Sequence, residues 1–238
     1  MNFLFDLYGT LIDIKTDEEK SELWSGFASM LGDSDGERVR REYLDLCKQF
    51  ASESENKYVE FDLLRVFEKM LEGRGIDKKK APEFARSFRI LSREKLQIFP
   101  CVVEMLTGLK ARGAGVYLVS NAQSCFTVDE LEKCGLAPLF DGILISSDAG
   151  VKKPSREIFG IAFDKFSITA DDGFYIGNDL RDDVLGAHGA GLTTVYIETE
   201  QSGNYPPDEV VVPNYTFDTH EQMMNTLFQM LDKKQKGA

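Results

Sequence analysis

Apolar residues are spaced in different ways along this chain, and the spacing divides it. Residues 3–8 form a short apolar strand, Phe3-Leu4-Phe5, cut by Asp6 and followed by a turn at Gly9-Thr10. From about 16 to 96 the apolar positions recur at helical spacing. One stripe is Leu23, Phe27, Met30 and Leu31, and a second is Tyr43, Leu44, Leu46 and Phe50. A third is Phe61, Leu64, Phe67, Met70 and Leu71, and a fourth Phe84, Phe88, Leu91 and Leu96. Breaks at Gly32-Asp33, from Ser52 to Asn56 and from Gly73 to Lys80 separate them. This stretch reads as four or five helices with no strand between them.

After Pro100 the pattern alternates. Strands are predicted over 116–119, 142–146, 173–176 and 193–197, and helices over 102–111, 126–134, 156–166, 184–190 and 221–231. Gly113 and Gly135 are the natural stops of the first two of those helices. Residues 198–215 read as a loop, and the Lys-rich tail from Lys233 as frayed. Continuous apolar strands alternating with helices predict an α/β protein with a parallel sheet covered on both faces. The expected division is a core of residues 1–14 and 97–238, interrupted by a helical cap over 15–96. An insert after the first strand would hang over the carboxyl edge of the sheet, where ligands bind in such folds, and could act as a lid.

The 238 residues carry a formal net charge of -12, which argues against nucleic acid or an anionic membrane as a partner. An anionic substrate then needs a local positive site, a metal ion or a well-placed Lys. The N-terminus has no basic leader, and no apolar run approaches the roughly 20 residues that span a bilayer; the expected location is the cytoplasm. Cys47, Cys101, Cys125 and Cys134 form no CxxC pair and read as reduced thiols. Trp24, Phe27, Phe61 and Phe67 read as packing residues. Oligomeric state leaves no trace in the sequence.

Four polar clusters each follow a predicted strand. Asp6 to Thr10 comes first: a carboxylate at the end of an apolar strand is costly unless paired, hydrogen-bonded or metal-bound. Ser120-Asn121 could hold a substrate oxygen, or cap a helix. Lys152-Lys153-Pro154 could aim an ammonium at those carboxylates, or be two solvated lysines. Gly177 to Asp183 gathers Asn178, Asp179, Asp182 and Asp183, an oxygen-rich set suited to Mg²⁺ or simply a solvated acidic loop.

In that order, the segments FDLYGTLID, YLVSN, VKKPSREIF and YIGNDLRDDVLGAHGAG resemble the haloacid dehalogenase-like hydrolases over essentially the whole chain. The resemblance implies a Rossmann-like, doubly wound core with an all-α cap inserted after the first strand. It implies that Asp6 is a nucleophile forming a covalent intermediate that water hydrolyses. Thr10 and Ser120 would steady the transferred group, Lys153 would be the family's lysine, and Gly9 and Asn121 would contact substrate. A Mg²⁺ site would use Asp6, the Tyr8 carbonyl and groups among Asn178, Asp179 and Asp183.

The chain departs from the family pattern at Tyr8, where most phosphatases of this kind carry a second Asp that donates and accepts protons. Dehalogenases of the family carry Tyr there, because a departing halide needs no proton. They also use a cap arginine for the substrate carboxylate, for which Arg38, Arg40 and Arg41 are the candidates, and a Tyr where this chain has Phe159. The acid-rich last loop instead matches Mg²⁺-dependent members, with Asn178 in place of its first Asp. The first expectation is thus a Mg²⁺-dependent phosphatase acting on a small anionic metabolite. The alternatives are a metal-independent 2-haloacid dehalogenase, or a fold kept for binding or regulation after turnover was lost.

Overall fold

The computed structural model describes residues 1–236. Strand β1 (Asn2–Phe5) leads into β2 (Ile12–Thr16), and helices α1 (Ser21–Met30), α2 (Gly36–Ala51), α3 (Leu64–Glu72) and α4 (Ala81–Ser92) follow. The chain returns through β3 (Arg93–Ile98) to α5 (Val102–Ala111), β4 (Gly115–Ser120), α6 (Ser124–Lys133), β5 (Gly142–Ile145) and the one-turn α7 (Ser146–Ala149). It continues with α8 (Arg156–Phe166), β6 (Gly173–Gly177), α9 (Gly186–Gly189), β7 (Thr193–Ile197), β8 (Tyr215–Phe217) and α10 (His220–Lys236).

Six strands form one sheet in the order β5-β4-β1-β6-β7-β8, with every pairing parallel. The chain builds outward from β1 on one side through β4 and β5, then returns to the other side for β6, β7 and β8. The strand order therefore reverses at β1, and the carboxyl ends of β1, β4 and β6 flank the crevice where ligands bind in doubly wound sheets. Alternation along β1 sends Phe3 and Phe5 to the face covered by α5 and α10, and Leu4 to the face covered by α8 and α9. All three are fully buried, so Asp6 is delivered to the sheet edge by a strand with no freedom to slip register.

Between β2 and β3 the four helices pack around an aromatic core of Trp24, Phe27, Tyr43, Phe67 and Phe88. Phe126 of α6 enters that core from the sheet side, its ring stacked on Phe88 at 6.3 Å. The packing reading of Trp24, Phe27 and Phe67 agrees with their burial, and Phe61 packs half-buried against the same cluster.

Three expectations are corrected. The stretch 16–96 is not free of strands: Ile12–Thr16 pairs antiparallel with Arg93–Ile98, and Leu96 belongs to that ladder rather than to a helical stripe. The ladder is short and charged, with Lys15–Glu94 and Lys95–Asp13 ion pairs across it, so its two-residue alternation is masked by polar side chains. The expected helix from 184 begins earlier, as a π-helical turn over Leu180–Leu185 before α9, because Asp179 caps it by accepting from the Arg181 and Asp182 N–H groups. Finally, the tail does not fray at Lys233: α10 runs to Lys236, held by Lys234 on Asp172 and by Gln235 on the Arg112 carbonyl. Residues 237–238 lie outside the described residues. Among the described residues, no helix is long and apolar enough to cross a membrane, and all four cysteines are free.

Candidate active site

Asp6 ends β1 and is nearly buried. Its Oδ1 accepts from Ser120 Oγ at 3.0 Å and from Lys153 Nζ at 2.7 Å. Its Oδ2 has only Thr10 Oγ1, at 3.5 Å, and is the less engaged oxygen. Ser120 is the last residue of β4, and the parallel pairing of β4 with β1 brings it to the same end of the sheet as Asp6. Thr10 reaches back because Leu7, Gly9 and Ile12 form a tight turn through Gly9 N–H to Ile12 O and Leu11 N–H to Leu7 O.

That turn needs glycine. Gly9 has φ +81°, and a Cβ there would sit 2.4 Å from the Asn178 side chain. Asn178, directly after β6, accepts from Thr10 Oγ1 at 3.1 Å, and its Nδ2 donates to Thr199, whose own hydroxyl donates to the Gly9 carbonyl. The first and last polar clusters are thereby stitched together.

Lys153 is fully buried, and its ammonium is completely used. It donates to Asp6, to Asp183 Oδ1 at 2.5 Å and to the Tyr175 hydroxyl at 2.7 Å, and Tyr175 in turn donates to the Val119 carbonyl. Burial alone would lower the Lys153 pKa; Asp183 and Asp6 outweigh it and hold the pKa well above the ordinary lysine value. Asp183 is pushed up by burial and by Asp6, against the opposing pull of Lys153. The lysine loop is braced by Asn121, which accepts from the Lys153 N–H at 2.8 Å while its Nδ2 donates to the Lys153 carbonyl and to Asp182. Asn121 is thus engaged with the protein at both ends of its amide.

A cavity of about 190 Å³ opens beside Asp6, lined also by Tyr8, Asn121, Lys153, Asn178, Asp179, Asp182, Asp183 and Gln201. A larger concavity of about 480 Å³ lies against Phe99 and His220 and shares Gln201 as a wall. Asp6 is in the smaller one. His220 supports the site from behind: its Nε2 donates to the Thr10 carbonyl at 2.7 Å and its ring stacks on Phe99.

Tyr8 faces two ways. It lines the cavity, yet its hydroxyl donates to Glu130 Oε2 at 2.5 Å and lies 3.1 Å from Thr127 Oγ1. Burial, then Glu130, push its pKa above the ordinary phenol value, so it stays a neutral phenol, and its proton is engaged with Glu130. Glu130 is buried on α6 and accepts from Arg89 of α4 at 2.9 Å and Arg93 of β3 at 3.0 Å. Burial would raise its pKa; the Arg89 hydrogen bonds and charge, with Tyr8 and Arg93, hold it below the ordinary glutamate value. A carboxylate with a depressed folded pKa contributes stability above its unfolded pKa and loses it as pH falls through the folded value. Thermal melts of wild type and Glu130→Gln should show this. Between pH 6 and pH 4 the wild-type Tm falls by a few degrees more than that of the variant; parallel declines would refute the contribution.

Sequence reasoning missed Glu130, Tyr175, His220 and Gln201. Glu130 could have been noticed as a carboxylate on the apolar face of a helix, one helical turn from Phe126, and Tyr175 as a hydroxyl inside an apolar strand. His220 and Gln201 belong to segments joined to the site only by tertiary folding. The cap arginines do not reach the site: Arg38 pairs with Asp33, Arg40 with Glu19, and Arg41 is exposed. Phe159 packs edge-on against Tyr175, inside the core.

The site is thus a buried carboxylate at the strand-order reversal of an α/β sheet, flanked by two hydroxyls and an ammonium, in a chain that carries an inserted helical unit. The chain belongs to the haloacid dehalogenase-like hydrolases, whose family model matches residues 1–191. It is 29% identical over 150 residues to a phosphoserine phosphatase of Thermus thermophilus, covering 63% of this chain and 59% of that protein. The chain thus spans about three-fifths of that relative's length. In fold it is similar to a HAD phosphatase from Thermococcus onnurineus (TM-score 0.62, 21% identity, 95% of this chain and 97% of that one). It is equally similar to a 2-haloacid dehalogenase from Pseudomonas syringae pv. tomato (TM-score 0.64, 22% identity, 96% and 98%).

Proposed function

We propose that this chain is a Mg²⁺-dependent phosphoric monoester hydrolase acting on a small phosphorylated metabolite. The observation that carries the reading is the lining of the cavity beside Asp6: oxygen donors from Asn178, Asp179 and Asp183, and no arginine in the lining among the described residues. The donors are oxygens, which Mg²⁺, a hard cation that keeps several waters, prefers, although among the described residues no three acidic, His or Cys side chains are gathered to hold an ion by themselves. Asp6, the Tyr8 carbonyl, Asn178 and Asp183 would hold it, with Asp179 beside them, although Asp179's carboxylate also accepts from Tyr205 and from two backbone N–H groups. Bound there, the ion would neutralise and orient the phosphoryl oxygens.

The residues of the chain then divide the work. Asp6 Oδ2, the freer oxygen, attacks phosphorus, and the P–O bond to the leaving group breaks. Ser120 and Lys153 hold Oδ1 so that the carboxylate cannot rotate away. Thr10, whose proton goes to Asn178 Oδ1 in the free protein, turns its hydroxyl to the transferred group. Water then attacks the aspartyl phosphate, releasing phosphate and restoring Asp6. With the Tyr8 proton committed to Glu130, the best substrates are those whose leaving oxygen needs little protonation. Chelation with EDTA should abolish turnover of p-nitrophenyl phosphate, and added Mg²⁺ should restore it; turnover indifferent to chelator, or equal in Asp6→Asn, would sink the proposal.

Tyr8 favours a second reading, metal-independent 2-haloacid dehalogenation. The absence of a cavity-lining arginine among the described residues opposes it, because a haloacid carboxylate would find no free cation. Halide release from 2-chloropropionate in chelator would decide for it.

A further inference from the structure

The cavity beside Asp6 is strongly one-sided in charge. Asp6, Asp179, Asp182 and Asp183 line it, and among the described residues the one cation in the lining is Lys153. That ammonium has three donors, and they are given to Asp6, Asp183 and Tyr175. No side-chain cation remains for a second anionic group on the substrate, and the metal proposed above would be taken up by its carboxylate ligands and the phosphoryl oxygens. The four helices of the cap contribute no side chain to this lining.

The cavity also has Gln201 in its wall, from the segment between β7 and β8. It is exposed and uncharged, and its amide nitrogen donates to Asp13 at 3.0 Å. The segment is tied to the site on both sides of it: Thr199 donates to the Gly9 carbonyl, and Tyr205 to Asp179 at 2.6 Å. Beyond Gln201 the charge keeps its sign. The adjoining concavity presents Glu198 and Glu200, and its Lys95 is already paired with Asp13.

We infer that the alcohol released from the phosphate ester is uncharged or cationic, and that Gln201 is a residue that sets this preference. A carboxylate on the leaving group would be desolvated among like charges with no partner, which is costly at short range. A hydroxyl or an ammonium would find acceptors on every side. The inference rests on the phosphatase reading and narrows its substrate class.

Three esters of equal length test it: 2-aminoethyl phosphate, 2-hydroxyethyl phosphate and phosphoglycolate, measured with Mg²⁺ beside p-nitrophenyl phosphate. The expected kcat/KM for the cationic and neutral esters exceeds that for phosphoglycolate by about tenfold or more, the scale of one unmatched charge at close range, and the gap narrows as salt is raised. Gln201→Lys should shift the ratio of phosphoglycolate to 2-hydroxyethyl phosphate by about tenfold toward the anion, as expected for one added charge. Turnover of p-nitrophenyl phosphate with phosphoglycolate equal to or better than the other esters would overturn the charge inference and leave the phosphatase reading standing. An unchanged ratio in Gln201→Lys would overturn the role of Gln201. No Asp6-dependent turnover of any ester, p-nitrophenyl phosphate included, would overturn both readings.

Discussion

Asp6→Asn is expected to lower phosphatase turnover by on the order of 10⁴-fold or more, the scale on which removing a covalent nucleophile acts. The substitution is nearly isosteric and keeps an oxygen for Ser120 to donate to, so the loss is chemical. An amide oxygen is too weak a nucleophile to displace an alkoxide from phosphorus. The fold should tolerate the change, because Lys153 retains Asp183 as its ion-pair partner and Tyr175 as a hydrogen-bond acceptor. Initial rates on p-nitrophenyl phosphate with saturating Mg²⁺, together with a thermal melt, separate the two effects. A variant within tenfold of wild type would show that a different group attacks.

Lys153→Met is expected to cost about 3–5 kcal/mol of folding stability, the usual result of removing one partner from a buried charge pair. Methionine fills much of the lysine's volume, so the loss is electrostatic rather than a cavity. It leaves Asp6 and Asp183 facing each other at the buried end of the sheet with no cation between them. The deficit should depend on pH in a definite direction. A carboxylate whose folded pKa lies above its unfolded value contributes stability at low pH and loses it as pH rises through the folded value. Without the ammonium, Asp183 moves further that way, so the variant's deficit in urea melts should be smaller at pH 5 than at pH 8. A loss under 1 kcal/mol at both pH values would contradict the account.

Much of this fold can be read from the sequence because its sheet is parallel and doubly covered. Such strands are apolar throughout, and 116–119 and 193–197 stand out against the helices around them. The site clusters are legible for a related reason: each is a polar outcrop at the end of an apolar run, as Asp6 is after Phe3-Leu4-Phe5. The β2–β3 ladder is not legible in the same way. Its partners lie about eighty positions apart, and its outward residues are charged, so Leu96 at the end of a helical stripe looks like one more turn of helix. Nor does spacing reveal what Tyr8 does with its hydroxyl. That depends on Glu130, Arg89 and Arg93, brought together from three elements by tertiary packing. The role of Gln201 is hidden likewise, in a loop whose sequence shows only turn residues.

The place of α6 bears on how this chain could be remodelled. Phe126 completes the aromatic cluster of the inserted helices, and Glu130, one turn on, collects Arg89 and Arg93 together with Tyr8. The seam of the molecule thus runs along a helix of the sheet unit that is distant in sequence from the points where the insert leaves and rejoins the chain. A helical insert grafted from a relative at those points would arrive without its socket. Phe126 would stand bare, and Glu130 would be a buried anion without Arg89 and Arg93. Shuffling inserts among relatives to exchange their preferences should therefore succeed here only when the segment from Ser124 to Lys133 travels with the graft, so that the heritable module is longer than the insertion.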